Sequence, residues 1–369
     1  MSKAAELANL IGNINAGGGG VNRNVIINGA MNVAQRATSA TGLGSSDPSY
    51  QTLDRFRMNI GGTSAGRFTM AQDSSAPEGF ANSLKLSCTT ADTSIAADEL
   101  LSLQQRIEGQ NLQMFAKGTT SAKPYAVSFY VKGNASATYT CELEDGDNSR
   151  RVAKEFSVTT DWARVELSFP KDTTGAFDDD NALSLSLNIF LHGGSNFTSG
   201  TFSANTWESI SNTTRLSDSQ TSFFDSTDRT FFITGVQLEV GQNPTSFEHE
   251  PFERTLAKCQ RYFYQWVDGA GQNMGTGAYY NTTLFIAHLD FPVTMRANPT
   301  GSFVTGTDYY RIWRNGTYDD VSLVGSNIAN ASTKGTSIDV LGGVSGTAGH
   351  GGRILSLVGS ARFAFDAEL

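Results

Sequence analysis

The segment "FFITGVQLEV", residues 231–240, is the most informative stretch of this 369-residue chain. One parity of the segment is apolar and the other carries Gln237 and Glu239, which is the two-residue period of a half-buried strand. The apolar parity consists of Phe232, Val236, Leu238 and Val240. We expect this segment to be the closing strand of a β-sandwich.

The residues that follow, "GQNPTSFEHEPFERTLAKCQRYFYQW", mark a domain boundary. A proline-containing connector gives way to helical spacing at Phe252, Leu256 and Cys259, and then to aromatic alternation up to Trp266. We therefore end one domain at residue 254 and begin another at residue 255.

Alternation of apolar and polar residues recurs on both sides of this boundary. Many short alternating segments separated by turn residues predict antiparallel sheets with one wet face. The predicted fold class is all-β: a jelly-roll β-sandwich over residues 23–254, followed by a smaller C-terminal β-sandwich over residues 255–369. The stretch 195–227 lacks the alternation, and we expect it to be a surface excursion. The clearest alternating sets are Phe56/Met58/Ile60, Leu84/Leu86/Cys88, Tyr125/Val127/Phe129/Val131, Leu183/Leu185/Leu187/Ile189/Leu191, Phe285/Ala287/Leu289/Phe291 and Ala361/Phe363/Phe365/Ala367/Leu369.

The N-terminal residues 1–22 are predicted to form a short helix followed by a tether. Ser2 is a suitable N-cap, and the helix carries an apolar stripe on one face, while the glycines at 17–20 end it. We expect the stripe to anchor the chain in a larger assembly or to bundle with its copies. The alternative is a frayed terminus that packs on its own domain. The anchor residues are Leu7, Leu10, Ile11 and Ile14.

Composition and charge exclude two classes of partner. A net charge of −9 and a pI near 5.0 argue against nucleic acid, which needs clustered cations. No apolar run approaches the roughly 20 residues of a membrane span, and the N-terminus lacks a signal-peptide pattern, so we expect a chain made in the cytoplasm without membrane insertion. The cysteines Cys88, Cys141 and Cys259 each sit in an apolar stretch and are predicted to be buried thiols.

Five segments, in this order along the chain, carry a family resemblance. They are "NVIINGAMNVAQR" (24–36), "LDRFRM" (53–58), "LQQRIEG" (103–109), "KPYAVSFYVKG" (123–133) and "FFITGVQLEVGQNPTSFEHEPFERTLAKCQRYFY" (231–264). Together they resemble the carbohydrate-binding-module-like β-sandwich of tail-fibre and related appendage proteins of tailed bacteriophages, over about residues 24–265. The resemblance implies a non-enzymatic virion protein, a tail fibre or fibre-like appendage for host-surface attachment, assembled in the host cytoplasm. A head fibre or capsid decoration protein built from the same modules is the alternative within this class.

A carbohydrate-active enzyme or a lectin is the alternative from a different class. The chain has four histidines without metal-ligand spacing, no phosphate loop and no G-x-S-x-G motif. Paired acids could still hydrolyse a glycoside, and Asp145 with Asp147 or the run 178–180 are the candidates. Both lie in turn-like runs, so we expect solvated turn carboxylates, no catalytic residue and no cofactor.

A structural calcium near the first and last strands is a feature of carbohydrate-binding modules. Asn28 and Glu239 occupy those segments, but Met31-Asn32 stands where the resemblance would place a carboxylate. Calcium needs six to eight oxygen ligands, so we predict no metal site and keep a structural calcium as the alternative.

A host-surface glycan would require exposed aromatic faces beside polar groups. We select Trp207 and the pair Tyr279 and Tyr280, because they lie in Gly/Asn/Thr-rich segments, as carbohydrate-binding residues. The other rings considered are Tyr139, Tyr309, Tyr310 and Trp313.

The oligomeric state predicted for the chain is a homotrimer, with a dimer or a monomer that assembles only on the particle as the alternatives. Phage fibres are commonly three-fold, and we expect Tyr262, Tyr264 and Trp266 to be exposed rings that three copies could bury together. Other virion proteins are the expected partners of the N-terminal helix.

Overall fold

The computed structural model describes residues 2–15, 22–46, 49–304, 306–324 and 327–369. Strands make up 43% of the chain and helices 9%, which confirms the all-β prediction with a short N-terminal helix. The chain divides into two compact units, Met1–Thr255 with Leu369, and Leu256–Glu368. The division predicted between residues 254 and 255 differs from this one by a single residue.

The first unit is a jelly-roll β-sandwich. Helix α1 (Lys3–Asn15) precedes the strands, and the Oγ of Ser2 accepts the Ala5 N–H at 3.3 Å, as expected of an N-cap. The predicted glycine tether at 17–20 lies outside the described residues. The strands are β1 (Ser39–Leu43), β2 (Ser49–Tyr50), β3 (Arg57–Gly61), β4 (Arg67–Asp73), β5 (Ser83–Thr90), β6 (Leu100–Glu108), β7 (Tyr125–Gly133), β8 (Ala137–Asp145), β9 (Arg150–Val158), β10 (Ala163–Phe169), β11 (Leu183–Gly193), β12 (Glu208–Ser209) and β13 (Thr230–Val240). Single-turn helices span Gly109–Asn111, Gln113–Phe115, α2 (Ser195–Thr198) and Asn212–Thr214, and α3 spans Phe252–Gln260.

Two antiparallel sheets enclose one core in this unit. Their strand orders are β1-β4-β5-β13-β7-β10 and β12-β9-β8-β11-β6-β3-β2, so the chain crosses repeatedly between the two layers. Alternate residues of each strand meet across the layers, as in the edge-to-face pair of Phe129 on β7 and Phe156 on β9, whose centroids are 5.0 Å apart. A second such pair joins Tyr139 on β8 to Phe231 on β13 at 5.6 Å.

Strand β13 contains a bulge at Gly235, where φ is +63°. Its register with β7 shifts between Thr234 and Gln237, so that two residues of β13 face one of β7. The apolar parity predicted from the sequence is therefore wrong before the bulge. Phe232 points away from the core and packs on Trp162. The core residues of β13 are instead Phe231, Ile233, Val236, Leu238 and Val240.

The stretch 195–227 lies mostly at the surface, as expected from the sequence, but three of its side chains are buried. Leu216 and Phe223 are fully buried, and Phe224 is 2% exposed. Both phenylalanine rings contact Phe68 on β4, at centroid distances of 6.3 and 6.2 Å. These side chains tie the stretch to the sandwich.

The second unit is a smaller β-sandwich. Its strands are β14 (Phe263–Asp268), β15 (Asn273–Asn281), β16 (Leu284–Asp290), β17 (Thr300–Val304), β18 (Tyr310–Arg314), β19 (Thr317–Val321), β20 (Ile328–Ala329), β21 (Gly335–Leu341), β22 (Gly351–Ser356) and β23 (Arg362–Asp366). They form a three-stranded sheet of order β14-β23-β17 and a seven-stranded sheet of order β19-β18-β22-β15-β16-β21-β20, which share one core.

The rings invoked for a trimer interface are not exposed, which corrects the expectation from the sequence. Tyr262 is 1% exposed. Tyr264 and Trp266 are partly buried and pack against the core of this unit: Tyr264 stacks on Phe365, and Trp266 packs on Phe363 with centroids 5.2 Å apart. These rings therefore do not form the exposed aromatic patch expected at a trimer interface.

The three cysteines are free and buried, which confirms their prediction as structural thiols. Burial raises the pKa of the Cys88 and Cys141 thiols, so both stay protonated at neutral pH. Among the described residues, no helix has the length and apolar content to cross a membrane.

Candidate functional site

A groove of about 570 Å³ lies on the outer face of the six-stranded sheet. Tyr130 on β7 and Arg164 and Glu166 on β10 point outward into it, because their neighbours of opposite parity are in the core. Its volume lies within the roughly 300–1,000 Å³ typical of small-ligand sites. The remaining lining comes from Glu6 of α1, from Glu78 and Phe80, and from connector residues Ser246, Phe247 and His249.

The aromatic wall of the groove is centred on Phe80. Its ring lies 5.4 Å from Tyr130, 5.0 Å from Phe247 and 5.1 Å from His249, measured between centroids. The bulge makes room for this cluster: a Cβ on Gly235 would lie 2.8 Å from Phe80 and 2.9 Å from Tyr130. The glycine therefore serves both the positive φ and the packing of the rings.

The polar side of the groove is fixed by Arg164. Its guanidinium contacts the Glu166 carboxylate at 2.6 Å and also donates a hydrogen bond to the Thr245 carbonyl. The arginine thereby holds the connector against the sheet. A ring surface beside a carboxylate and a guanidinium can bind a ligand that has an apolar face and several hydroxyl groups.

Trp207, selected from the sequence for sugar binding, is a half-buried part of a structural cluster. Its indole N–H donates to the Pro170 carbonyl at 2.7 Å, and its ring packs on Tyr125. The ammonium of Lys117 lies 5.5 Å from the ring centroid. These contacts occupy the polar and aromatic surfaces that a sugar would use.

The Lys117 ammonium is a buried cation. Its Nζ lies 2.6 Å from Asp145 and 3.2 Å from Asp172, all with side chains no more than 4% exposed. It also donates to the Thr174 and Gly175 carbonyls, each at 2.8 Å. Asp172 in addition forms a bidentate pair with Arg150. Although burial acts against it, the hydrogen bonds from Arg150, from the Thr174 N–H and from Lys117 hold the pKa of Asp172 below its usual value.

The acids considered for glycoside hydrolysis do not form a pair in a cleft. The structure corrects the expectation that Asp145 is a solvated turn residue, because it is fully buried against Lys117. Asp147 and the run 178–180 are exposed, and Asp147 accepts the Asp178 N–H at 3.0 Å. Asp145 thus forms a structural ion pair, and Asp147 and Asp178 stabilise a loop through the hydrogen bond between them.

A Ser–His–Glu chain that sequence analysis missed lies under the stretch 195–227. The His192 ring contacts Ser222 Oγ at 2.8 Å through Nδ1 and Glu99 at 3.0 Å through Nε2. Ser222 Oγ also accepts the Phe224 N–H, and the His192 ring packs edge-on against Phe224. His192 and Glu99 are 1% and 2% exposed, so this chain joins the stretch to β11 as a buried polar network.

The residues weighed for calcium have protein partners. The Asn28 side chain donates to the Val33 and Asp54 carbonyls and accepts two backbone N–H groups, which shapes a turn at φ +61°. Glu239 is fully buried, accepts the Thr245 N–H and hydroxyl, and lies 3.3 Å from Arg23. In the described part of the chain, no group of three or more His, Cys, Asp and Glu side chains could hold a metal ion.

The two tyrosines chosen for sugar binding lie in different environments. Tyr279 is 1% exposed, packs on Phe285, and donates its hydroxyl to Asp319 at 2.7 Å. Burial and the Asp319 carboxylate raise the pKa of Tyr279 to about 12. Its ring therefore presents no open face. Tyr280 is 73% exposed on the outer face of β15 and could stack on a ligand.

The anchor stripe of α1 is exposed where the structure describes it. Leu7 and Ile11, one turn apart, are 57% and 49% exposed, and Leu10 beside them is half-buried. The side chain of Ile14 lies outside the described residues. The helix thus carries apolar surface that its own unit does not cover.

No family model matches the chain, and no curated protein matches it. Solved structures similar to part of it include the carbohydrate-binding module CBM4, at 10% identity over 58% of this chain and 97% of that one, with a TM-score of 0.30. A family 11 carbohydrate-binding module from Clostridium thermocellum, in complex with a β-1,3-1,4-mixed-linked tetrasaccharide, is 11% identical over 58% of this chain and 99% of that one, with a TM-score of 0.27. The enzymatically active domain of tailspike protein 4 from bacteriophage CBA120 is 12% identical over 54% of this chain and 21% of that one, with a TM-score of 0.28.

Proposed function

We propose that this chain is a non-enzymatic bacteriophage virion protein, a tail fibre or fibre-like appendage that attaches the particle to a host-surface glycan. The observation that carries the proposal is the exposed apolar stripe of α1 at the start of the chain. The resemblance of segments within residues 24–265 to phage appendage modules supports the virion role. The ion pair between Asp145 and Lys117 supports a non-enzymatic role, because this candidate acid is used in the fold.

The stripe acts as the attachment to the particle. A helix of 13 residues is marginal alone. Covering the exposed halves of Leu7 and Ile11 contributes about 2 kcal/mol, taking 1.5–3 kcal/mol for each side chain when fully buried. A micromolar complex needs about 8 kcal/mol, so one stripe is a weak attachment.

Three stripes acting together overcome this weakness by avidity. We therefore keep the homotrimer as part of the proposal, with three α1 helices side by side and with no role for the rings near residue 264. Other virion proteins are the partners of the three exposed stripes.

The glycan binds to rings beside polar groups. The groove around Phe80 offers three aromatic side chains next to Arg164 and Glu166, with volume for a short saccharide. The proposed attachment requires binding of the glycan and no chemical reaction of it.

Particle incorporation tests the attachment. Deleting residues 1–20 should leave a folded β protein by circular dichroism that no longer joins particles. The single variant Ile11→Asp should incorporate poorly, and the double variant Leu7→Asp/Ile11→Asp should fail to incorporate. Ala8→Asp is the matched control for Ile11→Asp, because it adds the same charge at an exposed position outside the stripe, and it should incorporate normally.

Normal incorporation of the deletion variant contradicts the role of α1 as an anchor.

Antibody labelling of virions in electron micrographs distinguishes a tail fibre from a head decoration protein, depending on which part of the particle is labelled.

A further inference from the structure

The β18–β19 hairpin of the second unit presents two exposed rings at the edge of its seven-stranded sheet. Trp313 pairs with Tyr318 across the hairpin, and Arg311 pairs with Asp320. All four side chains share the outer face, because Tyr310 and Ile312 of opposite parity are buried. Trp313 is 37% exposed and Tyr318 is 47% exposed.

The rings are held rigidly. The Arg311 guanidinium lies 3.7 Å from the centroid of the Tyr318 ring and forms a bidentate pair with Asp320, at 2.6 and 2.8 Å. Trp313 meets Tyr318 edge-on with centroids 5.3 Å apart. A ligand that stacks on Trp313 therefore finds the ring in place, which lowers the entropic cost of binding.

The size of this surface indicates a small ligand. Trp and Tyr each bury about 150–250 Å² when fully covered, so the exposed fractions of the two rings amount to roughly 170 Å². A stable protein partner needs roughly 800 Å² on each side. The face of one sugar ring fits the available area, whereas a protein interface does not.

The charge of the surface indicates a neutral ligand. The Arg311 guanidinium, hydrogen-bonded to Asp320, lowers the pKa of that carboxyl, so the pair is fully ionised and carries no net charge. An anionic ligand would have to compete with the Asp320 carboxylate for Arg311. Two of the five Arg311 N–H groups bind Asp320, which leaves three to donate to hydroxyls.

We propose that Trp313 and Tyr318 form a binding site for an uncharged pyranose residue of a glycan, with Arg311 and Asp320 bonding its hydroxyls. The proposal rests on the proposed glycan attachment and adds a site to the groove of the first unit. It is also separate from Tyr280. Thr276 lies two strands from Trp313 in the sheet, and Tyr280 is four residues further along β15, which places the Cα atoms of Trp313 and Tyr280 roughly 16 Å apart.

Saturation-transfer NMR on the full chain tests the site. The probes are the neutral methyl glycosides of glucose, galactose, mannose and N-acetylglucosamine, with glucuronate and N-acetylneuraminate as anionic probes. We expect transfer to at least one neutral glycoside, and a loss of affinity of about tenfold or more in Trp313→Ala. Trp313→Phe keeps an aromatic face and should lose about threefold or less. Phe252→Ala removes a ring of greater exposure, 53% exposed on α3 and outside both proposed glycan sites, and serves as the matched control, with unchanged affinity. Thermal unfolding of each variant verifies that the fold is kept.

Three outcomes overturn the site. They are transfer to anionic probes only, neutral binding that Trp313→Ala leaves unchanged, and no transfer to any probe. In the second case, a Phe247→Ala variant that loses binding would keep the glycan proposal and assign it to the groove. The virion role is measured separately by particle incorporation, which depends on α1 and not on these rings.

Discussion

Replacing Lys117 by Met removes the buried cation of the first unit while keeping most of the side-chain volume. The substitution leaves Asp145 fully buried with only neutral donors, since its other hydrogen bonds come from Asn148. Asp172 keeps Arg150, and two carbonyls lose their ammonium donor. The damage is therefore concentrated on one orphaned carboxylate.

Removing one partner from a buried ion pair costs about 3–5 kcal/mol. For a unit of roughly 250 residues, each kcal/mol lowers the midpoint by about 2–4 °C. We expect the melting temperature of the first unit to fall by about 6–20 °C. Urea unfolding should show a lower midpoint with an unchanged m-value.

Two further variants make this prediction decisive. Lys171→Met makes the same substitution at an exposed lysine and should change stability by less than about 0.5 kcal/mol. Adding Asp145→Asn to Lys117→Met removes the orphaned charge and should recover part of the loss, so the double variant is less destabilised than the sum of the single ones. A loss below about 1 kcal/mol in Lys117→Met, or strict additivity in the double variant, refutes a structural role for the ammonium.

Three other predictions concern a buried histidine, the bulge glycine and the oligomeric state. Burial outweighs the attraction of Glu99 and Asp92 and lowers the pKa of His192, so the unfolded chain binds the proton more readily than the folded one. The free energy of unfolding should therefore fall as pH drops below about 6.5. Urea unfolding at pH 7.5 and 5.5 measures this difference, which His192→Gln should reduce and His288→Gln, at an exposed site, should leave unchanged. Gly235→Ala should lower the free energy of unfolding by about 1–3 kcal/mol, because the new Cβ is strained at a φ of +63° and also contacts Phe80. Gly42→Ala, at a φ of +71° with open space around it, measures the cost of the backbone conformation alone in the same unfolding assay. Sedimentation equilibrium at micromolar concentration should show a trimer, and a mass of 39.5 kDa, one chain, contradicts it for the free protein.

Period-two alternation predicted the strands well, because each sheet has one face in a core. It misjudged β13 because one extra residue reverses every parity on one side of a bulge. Gly235 was the available signal, since glycine within a strand often marks a bulge. Burial of Glu239 could not be predicted, because Thr245 and Arg23 reach it only once the connector and the N-terminal segment have folded onto β13.

Rings and acids were harder to place than strands. Trp207 and Asp145 looked exposed because their local sequence is turn-like, yet they meet at a lysine that is distant from both along the chain. The exposure of Trp313, by contrast, could be predicted from the sequence itself. Trp313 alternates with the apolar residues Tyr310 and Ile312 and shares its face of the strand with Arg311. An aromatic residue on the polar parity of a strand is therefore a better indicator of exposure than one in a glycine-rich loop.

At two positions in the first unit, a basic side chain neutralises buried carboxylates. Lys117 lies between Asp145 and Asp172, and Arg23 lies beside Glu239. A cation that belongs to the chain itself is in place as soon as the chain folds. Because the lysine stem also fills space under Trp207, one side chain supplies both charge and packing. Dilution cannot remove a covalently attached cation, so these carboxylates stay neutralised whatever ions the surrounding solution contains.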